Sequence, residues 1–201
     1  MPLVHYLTHP QVHIDAEVEV TDWGLSDVGA ARLTSLLGAP ALLGVTRIVS
    51  SAERKAMETA TLLAADLGLS PEIRAAMHEN DRSATGFLPP EQFEVAADAF
   101  FAAPDESYRG WETARAAQHR IVSEVNACLA SQGDGDLLLV GHGGVGTLLY
   151  CALAGLPVDR CHDQARAGGA PGGGNYFAFD SESRQPLHGW RPLEALVGLA
   201  A

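Results

Sequence analysis

The chain has 201 residues, 47% of them hydrophobic, and 25 acids against 13 bases give a net charge of −12. This length can bury a real core in a single domain over residues 1–201, and the acidic balance argues against nucleic acid or an anionic membrane as partner. Cys128, Cys151 and Cys161 are widely spaced and form no C-x-x-C pair, so neither a disulfide framework nor a zinc knuckle is indicated.

Met1–Tyr6 lacks a basic segment followed by a long apolar one, and no apolar span approaches membrane length; a soluble, cytoplasmic protein is the expectation. Leu3–Leu7 reads as a strand ended by Thr8-His9-Pro10, because proline cannot donate to a ladder. A helix beginning at Leu25-Ser26-Asp27 carries Leu33, Leu36 and Leu37 on one side before Gly38 and Pro40 stop it. Val45–Val49 is a second apolar strand, and Ser50-Ser51-Ala52-Glu53 has the capping-box form S-x-x-E, opening a helix that runs through Leu67. Arg54 and Lys55 then fall at the helix end whose dipole disfavours cations. The plain reading pairs Arg54 with Glu58 and leaves Lys55 solvated; a bound anion nearby is the functional one.

Pro71–Arg74 is a short strand before the polar loop Met77–Ser83, which contains Glu79 and Arg82. Glu91–Phe101 forms a short helix with Phe93, Ala96, Ala97, Phe100 and Phe101 on its apolar side, within a lid-like insert over about 80–104. A long helix is predicted from about Glu106 to Ser131. The most informative stretch is Asp136–Tyr150, DLLLVGHGGVGTLLY: an apolar run closed by glycine, typical of a strand buried on both faces, followed by a helix starting near Gly143–Gly144. His142 therefore stands at a strand end beside a helix N-terminus, where a phosphate or carboxylate is attracted. Asn175–Asp180 and Pro186–His188 read as two late strands at a sheet edge.

Gly141, Gly143 and Gly146 also fit the dinucleotide pattern G-x-G-x-x-G. That site needs a second strand ending in an acid about 20 residues on, and no apolar strand precedes Asp159 or Asp163. In a parallel sheet the carboxyl ends of strands share one edge, so His9, Ser50–Lys55 and His142 can converge there. On pattern alone, two unrelated, satisfied histidines fit equally well.

At these residues the chain resembles the histidine phosphatase superfamily in its phosphoglycerate-mutase-like branch. That pattern is a strand ending in Arg-His-Gly, then Ser-x-x-x-Arg-Ala-x-x-Thr-Ala, a loop glutamate, and a late strand ending in His-Gly. Its elements fall here at Thr8-His9-Pro10, Ser51–Ala60, Glu79 and His142-Gly143, in order from Leu3 to about Leu153. The resemblance implies an α/β fold, a three-layer α/β/α sandwich around a mostly parallel sheet, and phosphoryl transfer without metal or cofactor. It implies catalytic roles for His9 as nucleophile, Glu79 as proton donor and His142 as oxygen ligand, with Thr8, Lys55, Arg82 and Gly143 binding substrate. The partner it implies is a small phosphate ester or inorganic phosphate.

The departures from the pattern fall in the phosphate pocket. Thr8 stands in place of an arginine, Pro10 in place of a glycine whose N–H it removes, and Lys55 in place of a second arginine, a point charge without the guanidinium fork. Loss of one such donor commonly costs on the order of 10²–10³ in rate, and Arg82 or Arg54 is a candidate replacement. The readings are therefore a phosphomonoesterase, a catalytically degenerate phosphate-binding protein, and a metal hydrolase suggested by His5, His9, His13 and Asp15 and by His162-Asp163. His5 and His9 on one strand would be about 13 Å apart, too far to share an ion. Hydrolysis is favoured over mutase chemistry, which would need more cations around a diphosphorylated intermediate.

Overall fold

The computed structural model describes residues 2–198. Six strands form one sheet in the order β3-β2-β4-β1-β5-β6. They are β1 (Leu3–Thr8), β2 (Val45–Ser51), β3 (Glu72–Arg74), β4 (Asp136–Gly141), β5 (Asn175–Asp180) and β6 (Arg191–Pro192). The first four are mutually parallel, and β5 runs antiparallel to β1 and to β6. The helices are α1 (Asp27–Thr34), α2 (Arg54–Leu67), α3 (Pro90–Ala102), α4 (Ala114–Ala130) and α5 (Gly143–Ala154).

Strand alternation divides the core in two. Val4 and Tyr6 of β1, Leu137 and Leu139 of β4, and Phe177 and Phe179 of β5 pack with Ile121 and Val125 of α4 and Leu148 of α5. Leu7, Leu138, Val140 and Tyr176 point the other way, onto Leu33 of α1 and Ala56, Ala60 and Leu63 of α2. The chain is thus a three-layer α/β/α sandwich with a mostly parallel sheet. The unbroken apolar run of β4 follows from its place between β2 and β1, covered on both faces.

Four sequence expectations shift. Ser50 cannot cap a helix, because it still pairs with Val140 and Ile73 inside the sheet; α2 starts at Arg54, its N-cap is Glu53, and no side chain caps it. Helix α4 begins at Ala114 rather than near Glu106, since Arg109 and Gly110 adopt positive φ values of 50° and 86° and Thr113 caps the first turn through Ala116 N–H. Pro186 makes only an isolated bridge to Phe179, and the edge strand is β6 instead. Leu37 lies beyond the end of α1 and is exposed.

Candidate active site

The register aligns the carboxyl ends of β1, β2 and β4: Leu7 and Ser50 both face Val140, and Thr8 faces Gly141. One residue further on, the rings of His9 and His142 meet edge to face with centroids 5.2 Å apart, and His142 Nε2 lies 2.8 Å from Ser51 Oγ. The convergence at one sheet edge is therefore real.

Tyr6 fixes the end of β4. Its hydroxyl donates to the His142 carbonyl at 3.1 Å and accepts the His142 N–H at 3.2 Å. A Cβ at Gly141 or Gly146 would run into the Tyr6 side chain, and one at Gly143 into Gln164 Nε2. The three glycines of the dinucleotide pattern are thus explained by close packing, and the next strand after α5 is the antiparallel β5, so no β-α-β crossover follows.

His9 Nδ1 lies 2.9 Å from the Pro10 carbonyl. A carbonyl only accepts, so this nitrogen carries the ring proton and Nε2 is left as a free base. Burial first, then the neighbouring His142 and Lys55, push the His9 pKa down to about 3; the ring is neutral at pH 7. His142 is also pushed down by burial, against the pull of Glu53 and Glu79. Ser51 Oγ accepts Glu53 N–H at 3.3 Å, and a carboxylate oxygen of Glu53 lies 3.5 Å from His142 Nε2. His142 Nδ1 is buried and has no partner among the described residues; a buried polar atom left unpaired costs about 1–3 kcal/mol.

The N-terminus of α5 attracts a carboxylate, and the chain supplies its own. Glu79 Oε2 accepts Gly144 N–H at 2.9 Å, and Oε1 accepts Val145 N–H at 2.9 Å. Arg120 of α4 braces this loop from behind, donating to the carbonyls of Ala76, His78 and Glu79 while pairing with Glu112 at 2.7 Å. His78 bonds the Glu79 carbonyl, not its carboxylate.

Lys55, solvated on the plain reading and a substrate ligand on the resemblance, is buried: its ammonium pairs with Glu53 and donates to the Val20 carbonyl at 2.7 Å. Burial works to raise the Glu53 pKa, but His142, Lys55 and the Glu79 N–H outweigh it and hold the carboxyl at about 2. Arg54 does pair with Glu58, at 2.7 Å and exposed, and it is not among the residues lining the cavity over His9. Thr8 is buried and turned aside, bonded to Gln164 and Asn175.

A cavity of about 270 Å³ opens over His9, Glu79, Gly143 and Gly144. Arg82, Arg160, Asp163 and Gln164 also line it, with an aromatic wall of Phe93, Phe100, Phe101 and Trp111. Arg82 lies over the Phe93 ring at 5.0 Å, while Arg160 pairs with Glu94 at 2.9 Å.

The sequence model of the histidine phosphatase superfamily, branch 1, matches residues 8–168. The chain belongs to that superfamily. Among solved structures, this chain is similar to a mycobacterial glucosyl-3-phosphoglycerate phosphatase at 23% identity, TM-score 0.74, covering 95% of this chain and 96% of that one. The same mycobacterial protein has been solved with inorganic phosphate. A phosphoserine phosphatase mutant from Entamoeba histolytica, in complex with phosphoserine, aligns at 13% identity and TM-score 0.73 over 93% of this chain and 94% of that one. Comparison with curated proteins gives no match. At these identities the solved structures show the fold.

Of the residues singled out in the sequence, the fold gathers His9, Glu79, Arg82 and Gly143 around one cavity, with His142 against His9. Thr8 and Lys55 are not among the cavity's lining residues. Sequence reasoning missed Glu53, disguised as the end of a capping box, and Gln164, Asn175 and Arg120, whose partners are remote in the chain. Among the described residues no helix is long and apolar enough to cross a membrane.

Proposed function

We propose that the protein is a phosphatase that hydrolyses a small phosphate monoester through a phosphohistidine on His9, with Glu79 as proton donor. The observation that carries this reading is the state of His9, whose Nδ1 proton is fixed on the Pro10 carbonyl and whose ring is neutral beside the cavity. Nε2 attacks phosphorus in line, the bond to the leaving oxygen breaks, and that oxygen takes the proton of Glu79. Glu79 then removes a proton from water, whose oxygen attacks phosphorus; the P–N bond breaks and phosphate leaves with His9 neutral again. In this reading His142 carries its proton on Nδ1, which has no partner among the described residues, and donates it to a non-bridging oxygen, while Arg82 meets the charge that spreads over those oxygens. The scheme draws on no metal or cofactor. The phosphatase names of the solved neighbours, and the phosphate and phosphoserine bound to two of them, support a small phosphate ester or inorganic phosphate as ligand.

A second reading, phosphate binding without turnover, is favoured by one observation: the ammonium of Lys55 is committed to Glu53 and the hydroxyl of Thr8 to Gln164 and Asn175. Phosphate release from a panel of phosphate monoesters, with chelator present, decides between them when native protein is compared with His9→Ala. Release by the native protein that vanishes in the variant is the expected result. No release on any ester, with phosphate still protecting the protein against thermal unfolding, leaves the second reading; neither release nor protection overturns both.

A further inference from the structure

A chain of hydrogen bonds behind His9 fixes the orientation of a side chain that the family pattern does not contain. Asn175, at the start of β5, is fully buried. Its Oδ1 accepts Ala170 N–H at 2.6 Å, and its Nδ2 donates to the Ala170 carbonyl at 2.9 Å. Because backbone N–H only donates and C=O only accepts, the two ends of this amide are assigned without ambiguity. The remaining Nδ2 proton reaches Gln164 Oε1 at 2.9 Å. Thr8 Oγ accepts Asn175 N–H at 3.0 Å and stands 2.9 Å from the same Gln164 oxygen, with its own proton available to it. Reversing the Gln164 amide would set its NH₂ against that of Asn175, so Oε1 must face inward.

Gln164 Nε2 is then the outward end. It forms no hydrogen bond among the described residues, it lies over Gly143 in the space that a Cβ there would take, and its residue lines the cavity with His9 and Glu79. The family arginine beside the nucleophile would have projected from position 8. Here position 8 carries a short hydroxyl whose hydrogen bonds hold an amide from elsewhere in the chain.

We infer that Gln164 binds a phosphoryl oxygen through Nε2 in place of the missing guanidinium, and that Thr8 and Asn175 are the positioning residues that aim it. The inference rests on the phosphate-binding reading above. Exchanging a charged donor for a neutral one keeps direction while weakening the bond, since charge-assisted hydrogen bonds are roughly twice as strong as neutral ones. The pocket then depends on geometry more than on charge.

Inorganic phosphate, followed by calorimetry, is the probe. Gln164→Met keeps the length and removes the donor, and phosphate affinity falls about ten- to hundredfold, the loss of one hydrogen bond to a charged group. Gln164→Glu falls further at neutral pH, because a carboxylate faces the anion. It recovers toward the Gln164→Met level or better as pH drops through the ordinary glutamate range and the side chain regains a proton to donate, a recovery native protein lacks. Thr8→Val releases one of the two anchors on Oε1 and gives a smaller loss than Gln164→Met. If native protein binds phosphate and Gln164→Met binds it equally well, the assignment of Gln164 fails alone. If Gln164→Glu shows no recovery at lower pH, its effect is structural and the assignment fails. If native protein binds no phosphate and releases none from any ester, the parent reading falls and takes this inference with it.

Discussion

Replacing His9 by asparagine should make the protein less sensitive to mild acid. The folded pKa of His9, about 3, lies below the ordinary 6.5. Below 6.5 the unfolded chain takes up a proton that the folded chain refuses, so the contribution is fully present above that value and is lost as pH falls toward the folded pKa. The slope approaches about 1.4 kcal/mol per pH unit. Between about pH 8 and about pH 5 the loss for this one ring is about 2 kcal/mol. That figure is a ceiling, because the ring reaches the cavity and solvent there screens part of the burial. Urea unfolding of native protein and His9→Asn at the two pH values isolates the effect, since His5 and His142, both also depressed by burial, and the carboxylates titrate in both. Native protein should lose more stability than the variant, by up to this amount. Equal losses would mean that His9 titrates normally in the folded state, and the argument for a neutral nucleophile would fall with it.

Glu79→Gln removes the proton carried between leaving group and water; turnover should fall about 10²–10⁴-fold while phosphate affinity changes far less. Retained turnover would move the acid elsewhere, with Asp163, whose carboxyl is raised by burial and lines the same cavity, as the next residue to vary. Lys55→Met leaves Glu53 buried without its cation and should cost about 3–5 kcal/mol in urea unfolding, as for other broken buried pairs. A loss below about 1 kcal/mol would show that the pair behaves as a solvated one.

How far the sequence carries this far depends on the reach of each signal. β4 and α5 were legible because an apolar run, a glycine and an apolar helix say the same thing within fifteen residues, and the strand-end position of His142 follows from it; that of His9 follows from the apolar Leu3–Leu7 and the proline that ends it. Ser50–Glu53 misled because a capping box and a strand end have the same letters; only the pairing of Ser50 with Val140 tells them apart, and Val140 is remote. The start of α4 was hidden in the same way, since Trp111 sits in phase with the helix but belongs to the turn before it. Lys55 looked like a surface cation because its partner Glu53 was already assigned to a cap. Gln164 gave no signal at all: it lies in a loop without periodicity, and Thr8 is 156 residues away.

The burial of Lys55 also sets how this protein meets reagents. It is the only lysine in the chain, so amine-directed acylation or cross-linking finds no lysine side chain on the folded surface, where the cations are arginines that never give up their proton. Modification of Lys55 has to wait for the N-terminus of α2 to open and release Glu53. The rate at which that single amine is labelled is therefore a clock for the opening of the strand-end pocket, readable by mass without any substrate.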